Sequence, residues 1–359
     1  MAKARLEAWP TRGARPGRRD GPTEGQWCLR GRQRLLLVNP ARIMAAMHLV
    51  IPFAAPLAGA GRQAQGALAL PALEALLARL EPTERDEGDE YTLSPPHERV
   101  LARSLGLSGA DGALPWAARA AAADGIDAAE SAWGLLSPVH WHVGRDAITM
   151  GDPEALALGE AESRAFWDAV RPLFESLGWR CAFGAPTRWY VAHDSLAGLP
   201  TASLDRVVGR NPDLWMPEHP RARLVKRLQS EAQMLLYTHA LNDAREAAGR
   251  DTLNSFWLSG CGVRQAAPRT DGAPQLLDSL RAPALRGDWA AWSAAWQALD
   301  AGPLGAAVEA ASRPGAPLSL TLCGERHAQT YQRTARGWMQ ALRARLPGPP
   351  RAAAALAAL

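Results

Sequence analysis

The chain has 359 residues, enough for one large domain or two ordinary ones. It carries 40 basic and 36 acidic residues, a formal net charge of +4, but residues 1–46 hold ten basic residues against Glu7, Asp20 and Glu24, a net of +7. Residues 47–359 are therefore at −3, so the charge gives no general argument for nucleic-acid binding.

Residues 1–46 are rich in Arg, Gly and Pro and lack amphipathic periodicity. We expect a disordered arm or an over-extended start whose true first residue is Met44 or Met47. A secretory signal peptide is the alternative, because residues 35–38 and 49–58 are apolar, although two prolines interrupt the second run. No run approaches the roughly 18 apolar residues of a membrane span. The scattered cysteines, without a CxxC pair, favour reduced thiols, so we expect a cytoplasmic protein with no membrane partner.

The remaining chain alternates apolar runs with helical patterns. In chain order we predict a strand at 49–53, a helix at 71–80, an acidic solvated linker at 81–90 and a helix at 97–105. Strands at 139–143 and 147–150, a helix at 160–177 and strands at 179–183 and 188–192 follow. A long helix at 222–247, a strand at 254–258, a helix at 289–299, a strand at 318–323 and a helix at 334–345 complete the set. This alternation predicts an α/β fold with a mostly parallel sheet and helices on both faces.

The segment 229–262 places polar groups at fixed offsets between a helical pattern and an apolar run. Asn242 and Arg245 close the helical part, and the strand that follows carries Asn254, Trp257, Gly260 and Gly262. An arginine can hold a phosphate or carboxylate with its planar fork, and glycines let backbone amides approach an anion. Structural roles remain open for the same residues, since Asn is common at helix ends and Gly in tight turns.

Two histidines form the candidate metal site. His140 and His142 alternate on a predicted strand, so both rings would point to one face, with Asp146 or Asp152 assisting. This spacing suits a metal ion. The alternative is a half-buried strand face with hydrogen-bonded imidazoles.

Two further groups stand out. Asp205, Arg206 and Arg210 lie in a stretch of low periodicity typical of functional loops, so they are a second set of candidate ligand contacts. Tryptophans recur on one face of the helix predicted at 289–299, which indicates a packed core or a protein interface.

The motifs EAESRAFWDAV, RWYVAH, YTHALNDAR and LNSFWLSGCG follow one another in a familiar order. Their series resembles the middle of the archaeal-type cofactor-independent phosphoglycerate mutases of the alkaline phosphatase superfamily. The residues at matching spacing are His239, Asn242, Arg245, Gly249, Asn254, Trp257, Gly260 and Gly262. The motifs TLSPPHE, SPVHWHVGRD and LPTASLDRVVGRNPDLW also resemble a bacterial family labelled RpfE-type regulatory protein or phosphoglycerate mutase.

The resemblance implies a shortened alkaline-phosphatase-like α/β fold with an inserted α+β subdomain. Residues 47–150 would be the first part of the core, 151–264 the inserted ligand-binding subdomain, and 265–359 the rest of the core with C-terminal helices. Residues 1–46 would lie outside the fold.

Enzymes of that superfamily use two metal ions, usually Mn²⁺ or Zn²⁺, with an Asp at the end of the first strand and a late Asp–His pair. Here the first strand ends in Pro52, Phe53, Ala54 and Ala55, and the late segment keeps His327 without an adjacent Asp. The two-metal ligands are therefore not recognisable. If a rebuilt site binds Mn²⁺ or Zn²⁺, we expect His140, His142 and His327 to hold it.

Three hypotheses follow. The first is a regulatory or other noncatalytic phosphoglycerate-mutase-like protein that binds a small phosphorylated or carboxylated metabolite. The second is a working metal-dependent phosphoglycerate mutase or phosphatase of the superfamily. The third is a protein-interaction module that uses exposed tryptophans to bind a protein partner.

Overall fold

The computed structural model describes residues 47–128, 130–145, 147–266, 273–312, 317–333 and 351–359. The predictions for residues 1–46, for Asp146 and for a helix at 334–345 lie outside these residues.

Eleven strands and twelve helices are defined within this described part of the chain. The strands are β1 Met47–Ile51, β2 Glu81–Asp86, β3 Ala132–Val139, β4 Trp141–Val143, β5 Ile148–Met150, β6 Arg180–Ala185, β7 Arg188–Ala192, β8 Ser255–Val263, β9 Gln275–Leu276, β10 Leu318–Cys323 and β11 Ala328–Gln332. The helices are α1 Gly59–Gly66, α2 Pro71–Leu77, α3 Pro96–Ser104, α4 Trp116–Ala123, α5 Glu160–Glu175, α6 Leu204–Val207, α7 Ala222–Tyr237, α8 Ala240–Ala247, α9 Arg281–Leu285, α10 Trp289–Leu299, α11 Gly305–Ala311 and α12 Arg351–Ala357.

The first sheet is mixed, with the strand order β2-β11-β10-β1-β9. Strand β1 pairs in parallel with β10 and β9, whereas the β10–β11 and β11–β2 pairs are antiparallel. The prediction of a mostly parallel sheet is therefore corrected to a mixed one. The physical reason is the short turn at 324–327, because a connection of this length can join only antiparallel neighbours.

The second sheet is antiparallel throughout, with the order β6-β7-β3-β8. Helices α5 and α7 contribute Phe166, Val170 and Leu228 to the core on one face, and Ala117 and Ala121 of α4 pack in a cluster with Trp133 and Tyr190. Strand β3 belongs to this sheet. The second sheet therefore begins before residue 151, the residue at which the resemblance would start the inserted subdomain. The β4–β5 hairpin forms a separate two-stranded ribbon directly after β3.

Several element predictions differ from the structure. The strand predicted at 139–143 is the end of β3 followed by β4, with His140 between them. The predicted linker at 81–90 is wrong over its first half, because β2 pairs with β11 there as an edge strand with mostly exposed side chains. The predicted helix at 222–247 is two helices, since the side chain of His239 accepts a hydrogen bond from Leu241 N and starts α8. Strand β8 does not stop at residue 258 but continues to Val263.

The tryptophan face of α10 belongs to the core. Trp292 and Trp296 are both fully buried, and their indole N–H groups donate to the carbonyls of Phe53 and Ala54, over 3.0 and 3.3 Å. The packed-core interpretation is confirmed for these two residues. They fix the turn that follows β1, in which Phe53 adopts a positive φ of 55°. Strain of this kind persists only where the surroundings hold it in place.

None of the described helices combines the length and apolar character that crossing a membrane would require. Cys181, Cys261 and Cys323 are free thiols.

Candidate functional site

A cleft of about 880 Å³ opens between the first sheet and the β4–β5 ribbon. Its walls come from the turn after β1, the ribbon with the residues that follow it, the segment after α6, and the region of α9. Glu325, in the turn between β10 and β11, also reaches it. Among the described residues that line the cleft, the ionisable ones are His140, His142, Asp152, Glu154, Arg210, Asp251, Arg281, Arg286 and Glu325. Charged groups from distant parts of the chain therefore converge here.

The pairing of β3 with β8 explains why residues near 140 meet residues near 251. Val139 lies opposite Ser255, so the chain leaving β3 runs beside the chain entering β8. Asn254 joins the two segments, because its side-chain amide donates to Trp141 O at 3.0 Å and accepts from Trp141 N at 2.8 Å. This structural use of Asn254 leaves it outside the lining of the cleft.

His140 and His142 lie together, with their ring centroids 4.4 Å apart. The carboxylate of Asp251 joins them, and the three potential ligand atoms lie within 4.8 Å of one another. Nδ1 of His140 lies 2.7 Å from the carbonyl oxygen of Thr252. His140 lies between β3 and β4 rather than on a strand, yet its ring is beside that of His142; Asp152 lines the same cleft but is not part of this group.

The wall of the cleft also carries three arginines. Arg210 pairs with Glu325 at 2.7 Å, and the other carboxylate oxygen of Glu325 accepts from Leu57 N at 2.9 Å. Arg281 pairs with Asp205 at 2.7 Å and with Asp152 at 3.3 Å. Arg286 is exposed, and its guanidinium makes no hydrogen bond or ion pair with any described residue.

Asp205 lies behind this wall. Its carboxylate contacts His97 Nε2 at 3.1 Å as well as Arg281. Burial raises the pKa of this carboxyl, but the hydrogen bonds and charges of His97 and Arg281 outweigh burial and lower the pKa to about 2. Asp205 therefore anchors Arg281 as a buried anion rather than contacting the cleft itself.

Arg206, the neighbour of Asp205, is also structural. It is 2% exposed and donates to the carbonyls of Glu325 and Asp89 and to the Thr92 hydroxyl. Burial, with Arg210 and Arg99 nearby, lowers its pKa to about 10. Of the three predicted contacts in this loop, Arg210 alone lines the cleft.

Asn242 and Arg245 do not line the cleft. The amide of Asn242 donates to the carbonyls of Leu236 and Leu253 and accepts from Leu253 N, which uses its donors and its acceptor. Arg245 is 1% exposed; it donates to the carbonyls of Asp251 and Leu156, and Nη1 forms an ion pair with Glu162 at 3.0 Å without hydrogen-bond geometry. Both side chains hold α8 against its surroundings.

Trp257, Gly260 and Gly262 serve packing as well. Trp257 is 2% exposed and donates to Ala202 O. A Cβ on Gly260 would lie 2.9 Å from Ala117 N, and one on Gly262 would lie 2.9 Å from Pro115 Cβ. The two glycines therefore let the start of α4 approach the sheet.

His327 lies in a different cavity of about 540 Å³, beside Arg85 and the C-terminal residues. Burial and the neighbouring Arg85 lower the pKa of His327. The predicted trio of His140, His142 and His327 is therefore corrected: Asp251 takes the third place in the described group. This group could hold one ion, and the strand-end residues Pro52–Ala55 offer no carboxylate, so a two-metal centre does not fit the described residues.

No protein-family model and no curated protein matches the chain. Among solved structures it is similar to a cofactor-independent phosphoglycerate mutase from Thermoplasma acidophilum DSM 1728, at 15% identity and a TM-score of 0.33, over 81% of this chain and 90% of that chain. It is also similar to a protein from Pyrococcus horikoshii, at 11% identity and a TM-score of 0.40, over 81% and 88%. The first neighbour bears the name that the sequence resemblance suggests, but TM-scores this low carry no argument. The RpfE-type assignment has no support from these comparisons.

Sequence reasoning missed Asp251, Arg281, Arg286 and Glu325. Asp251 is one residue beyond a helix-ending Gly-Arg pair and looks like an ordinary surface acid. Asp251 comes close to His140 only because β3 pairs with β8 in this register. The sequence alone does not predict that register.

Proposed function

We propose that the protein binds a small phosphorylated or carboxylated metabolite in the cleft, in a regulatory or sensing role. The observation that carries this proposal is Arg286, an exposed residue that lines the cleft and whose guanidinium has no partner among the described residues. A guanidinium offers paired donors at the spacing of carboxylate or phosphate oxygens.

Arg210 also lines the cleft and supports the same proposal. One of its terminal nitrogens is held by Glu325, and its guanidinium lies 5.8 Å from the ring centroid of Trp215. These contacts fix its direction while its remaining donors stay free to bind. A fixed guanidinium loses less conformational freedom on binding an anion than a mobile one.

The test is isothermal titration of metal-free protein with inorganic phosphate and with succinate, one probe for each class of anion. We expect saturable binding of at least one probe, and Arg286→Ala should weaken it by at least about tenfold, the loss of a charge-assisted hydrogen-bond pair. Arg119→Ala is the matched control, because Arg119 is also exposed but lines a different cavity. Equal effects of the two substitutions, or no binding of either probe, would refute the proposal.

A metal-dependent phosphatase or phosphoglycerate mutase is the second candidate. The cluster of His140, His142 and Asp251 in the same cleft favours it, because such ligands suit a catalytic ion. The described residues could hold one ion. Phosphoryl transfer in the alkaline phosphatase superfamily uses two, so we rank this candidate second. Hydrolysis of a generic phosphomonoester by the Zn²⁺- or Mn²⁺-loaded protein, lost in His142→Ala, would reverse the order.

A further inference from the structure

We propose that His140, His142 and Asp251 form a binding site for a single divalent transition-metal ion. Two imidazoles and one carboxylate are a ligand set that Zn²⁺ and related ions accept. The site lies on the wall of the cleft, and the ion binds whether or not an anion is present. The inference therefore goes beyond the proposed function and does not depend on it.

The hydrogen bond of His140 prepares its ring for a metal. A carbonyl oxygen only accepts hydrogen bonds, so Nδ1 of His140 carries the proton that it shares with Thr252 O over 2.7 Å. In the neutral ring Nε2 is then left with its lone pair free. Metal-binding histidines commonly have this arrangement, in which a backbone carbonyl fixes both the tautomer and the ring direction.

The other two ligands can move to meet the ion. His142 and Asp251 are exposed, so small side-chain rotations cost little packing. The three ligand atoms lie within 4.8 Å of one another, and coordination bonds of about 2.0–2.2 Å in a tetrahedral site would draw them to roughly 3.4 Å. Gly151 leaves room for the His142 ring, because a Cβ at that position would lie 3.2 Å from Nε2.

Three protein ligands leave at least one coordination position open toward the cleft. Structural zinc sites use four protein ligands, whereas sites that bind a water or a substrate keep a position free. With imidazole ligands, Zn²⁺ binds more tightly than Mn²⁺, and Mg²⁺, which prefers oxygen ligands, does not compete. The structure thus assigns an accessible site selective for Zn²⁺-like ions.

The test is a titration of the full chain, without an affinity tag, with ZnCl₂ in the presence of excess Mg²⁺, followed by calorimetry and by elemental analysis after dialysis. We expect one Zn²⁺ per chain. His142→Ala and Asp251→Asn should each raise the Kd at least about tenfold. Because both positions are exposed, near-ultraviolet circular dichroism of the variants should match that of the parent, which separates loss of a ligand from loss of the fold.

His327→Ala is the matched control, since it removes an imidazole from another cavity and should leave the Kd and the stoichiometry unchanged. Absence of stoichiometric Zn²⁺ would overturn the proposal, and so would full Zn²⁺ binding by both His142→Ala and Asp251→Asn. An effect of His327→Ala equal to theirs would also overturn it. No anion takes part in this titration, so its failure would not touch the proposed function, and failure of phosphate or succinate to bind would not touch the metal site.

Discussion

The guanidinium of Arg245 is held by backbone carbonyls as well as by Glu162. Its residue type and spacing match a ligand-binding motif, yet the side chain is almost completely buried and turned into the protein. Two carbonyls accept from Nε and Nη2, which an anion would otherwise use, and Glu162 forms an ion pair with Nη1. Residue type alone therefore does not separate a ligand-binding arginine from a structural one; burial does.

Arg245→Ala should destabilise the protein by about 3 kcal/mol or more, because it leaves two carbonyls without their donor and removes one of the two arginines that pair with Glu162. Arg250→Ala is the control, since Arg250 pairs with the same Glu162 but its side chain is 45% exposed, and it should cost less than about 1 kcal/mol. Urea unfolding of the two variants and the parent measures both values. Equal stabilities of the two variants would contradict the structural role of Arg245.

Glu98 is a partly buried carboxyl whose neighbours are Ser203, His97, Asp205 and Arg206. Burial raises its pKa from 4.5 to about 7, and the His97 charge and the Ser203 hydrogen bond only partly oppose this. The folded protein thus binds a proton on Glu98 that the unfolded chain has released between pH 4.5 and 7. The contribution of this group to stability is present at low pH and is lost as the pH rises toward 7.

Glu98→Gln, which keeps the shape but cannot ionise, should therefore gain stability relative to the parent as the pH rises from 5 to 8. The expected change in the difference of unfolding free energy is up to roughly 3 kcal/mol, the equivalent of the pKa change. Chemical denaturation at the two pH values gives this difference directly. A difference that stays constant across the range would show that Glu98 does not titrate as described.

Helices and strands are predicted best where the hydrophobic pattern of the sequence matches the burial of the element. The predicted bounds of β10 and α10 match the structure, because one is a buried apolar run and the other shows an apolar helical face. Strand β2 was not predictable from its charged residues, because its place at a sheet edge comes from pairing with β11 some 240 residues later. For the site, the His140–His142 pair follows from local spacing, whereas Asp251 and the arginines of the cleft depend on contacts that no local pattern records.

The contact between β8 and α4 depends on Gly260. Its φ is +64°, and a Cβ would lie 2.9 Å from Ala117 N and 3.0 Å from Trp116 Cβ. Gly260→Ala should therefore cost about 1 kcal/mol for the left-handed backbone and about 1 to 3 kcal/mol more for the displaced helix.

Gly249→Ala isolates the first of these two costs, because Gly249 has a φ of +65° with open space around its Cβ position. Thermal unfolding of both variants should show the larger loss for Gly260→Ala. Equal losses of stability in the two variants would mean that the contact between α4 and Gly260 leaves room for a Cβ.

Across the whole molecule, the cleft brings together side chains from the turn after β1, the β4–β5 ribbon, the segment after α6, the region of α9 and the β10–β11 turn. The described lining of the cleft contains three arginines and four carboxylates, so the metal-free cleft has no excess of positive charge. A divalent ion at His140, His142 and Asp251 would change that balance and favour an anion nearby.

Saturating Zn²⁺ should consequently tighten the binding of glycerol phosphate by at least about fivefold, and the phosphate should tighten Zn²⁺ binding by the same factor. Calorimetric titrations in both orders measure the two factors, which thermodynamic linkage requires to be equal. Affinities for the phosphate that do not differ with and without Zn²⁺ would place the two ligands in sites that do not influence each other.

The proposed anion site is tested most directly by locating a bound anion in the protein. Crystals of the full chain soaked in tungstate, an analogue of phosphate with strong anomalous scattering, would show the position of the anion without assumptions about its identity. We predict an anomalous peak in the cleft with oxygens about 3 Å from the guanidinium of Arg286. Peaks only outside the cleft, or none in a crystal whose cleft is open to solvent, would contradict it.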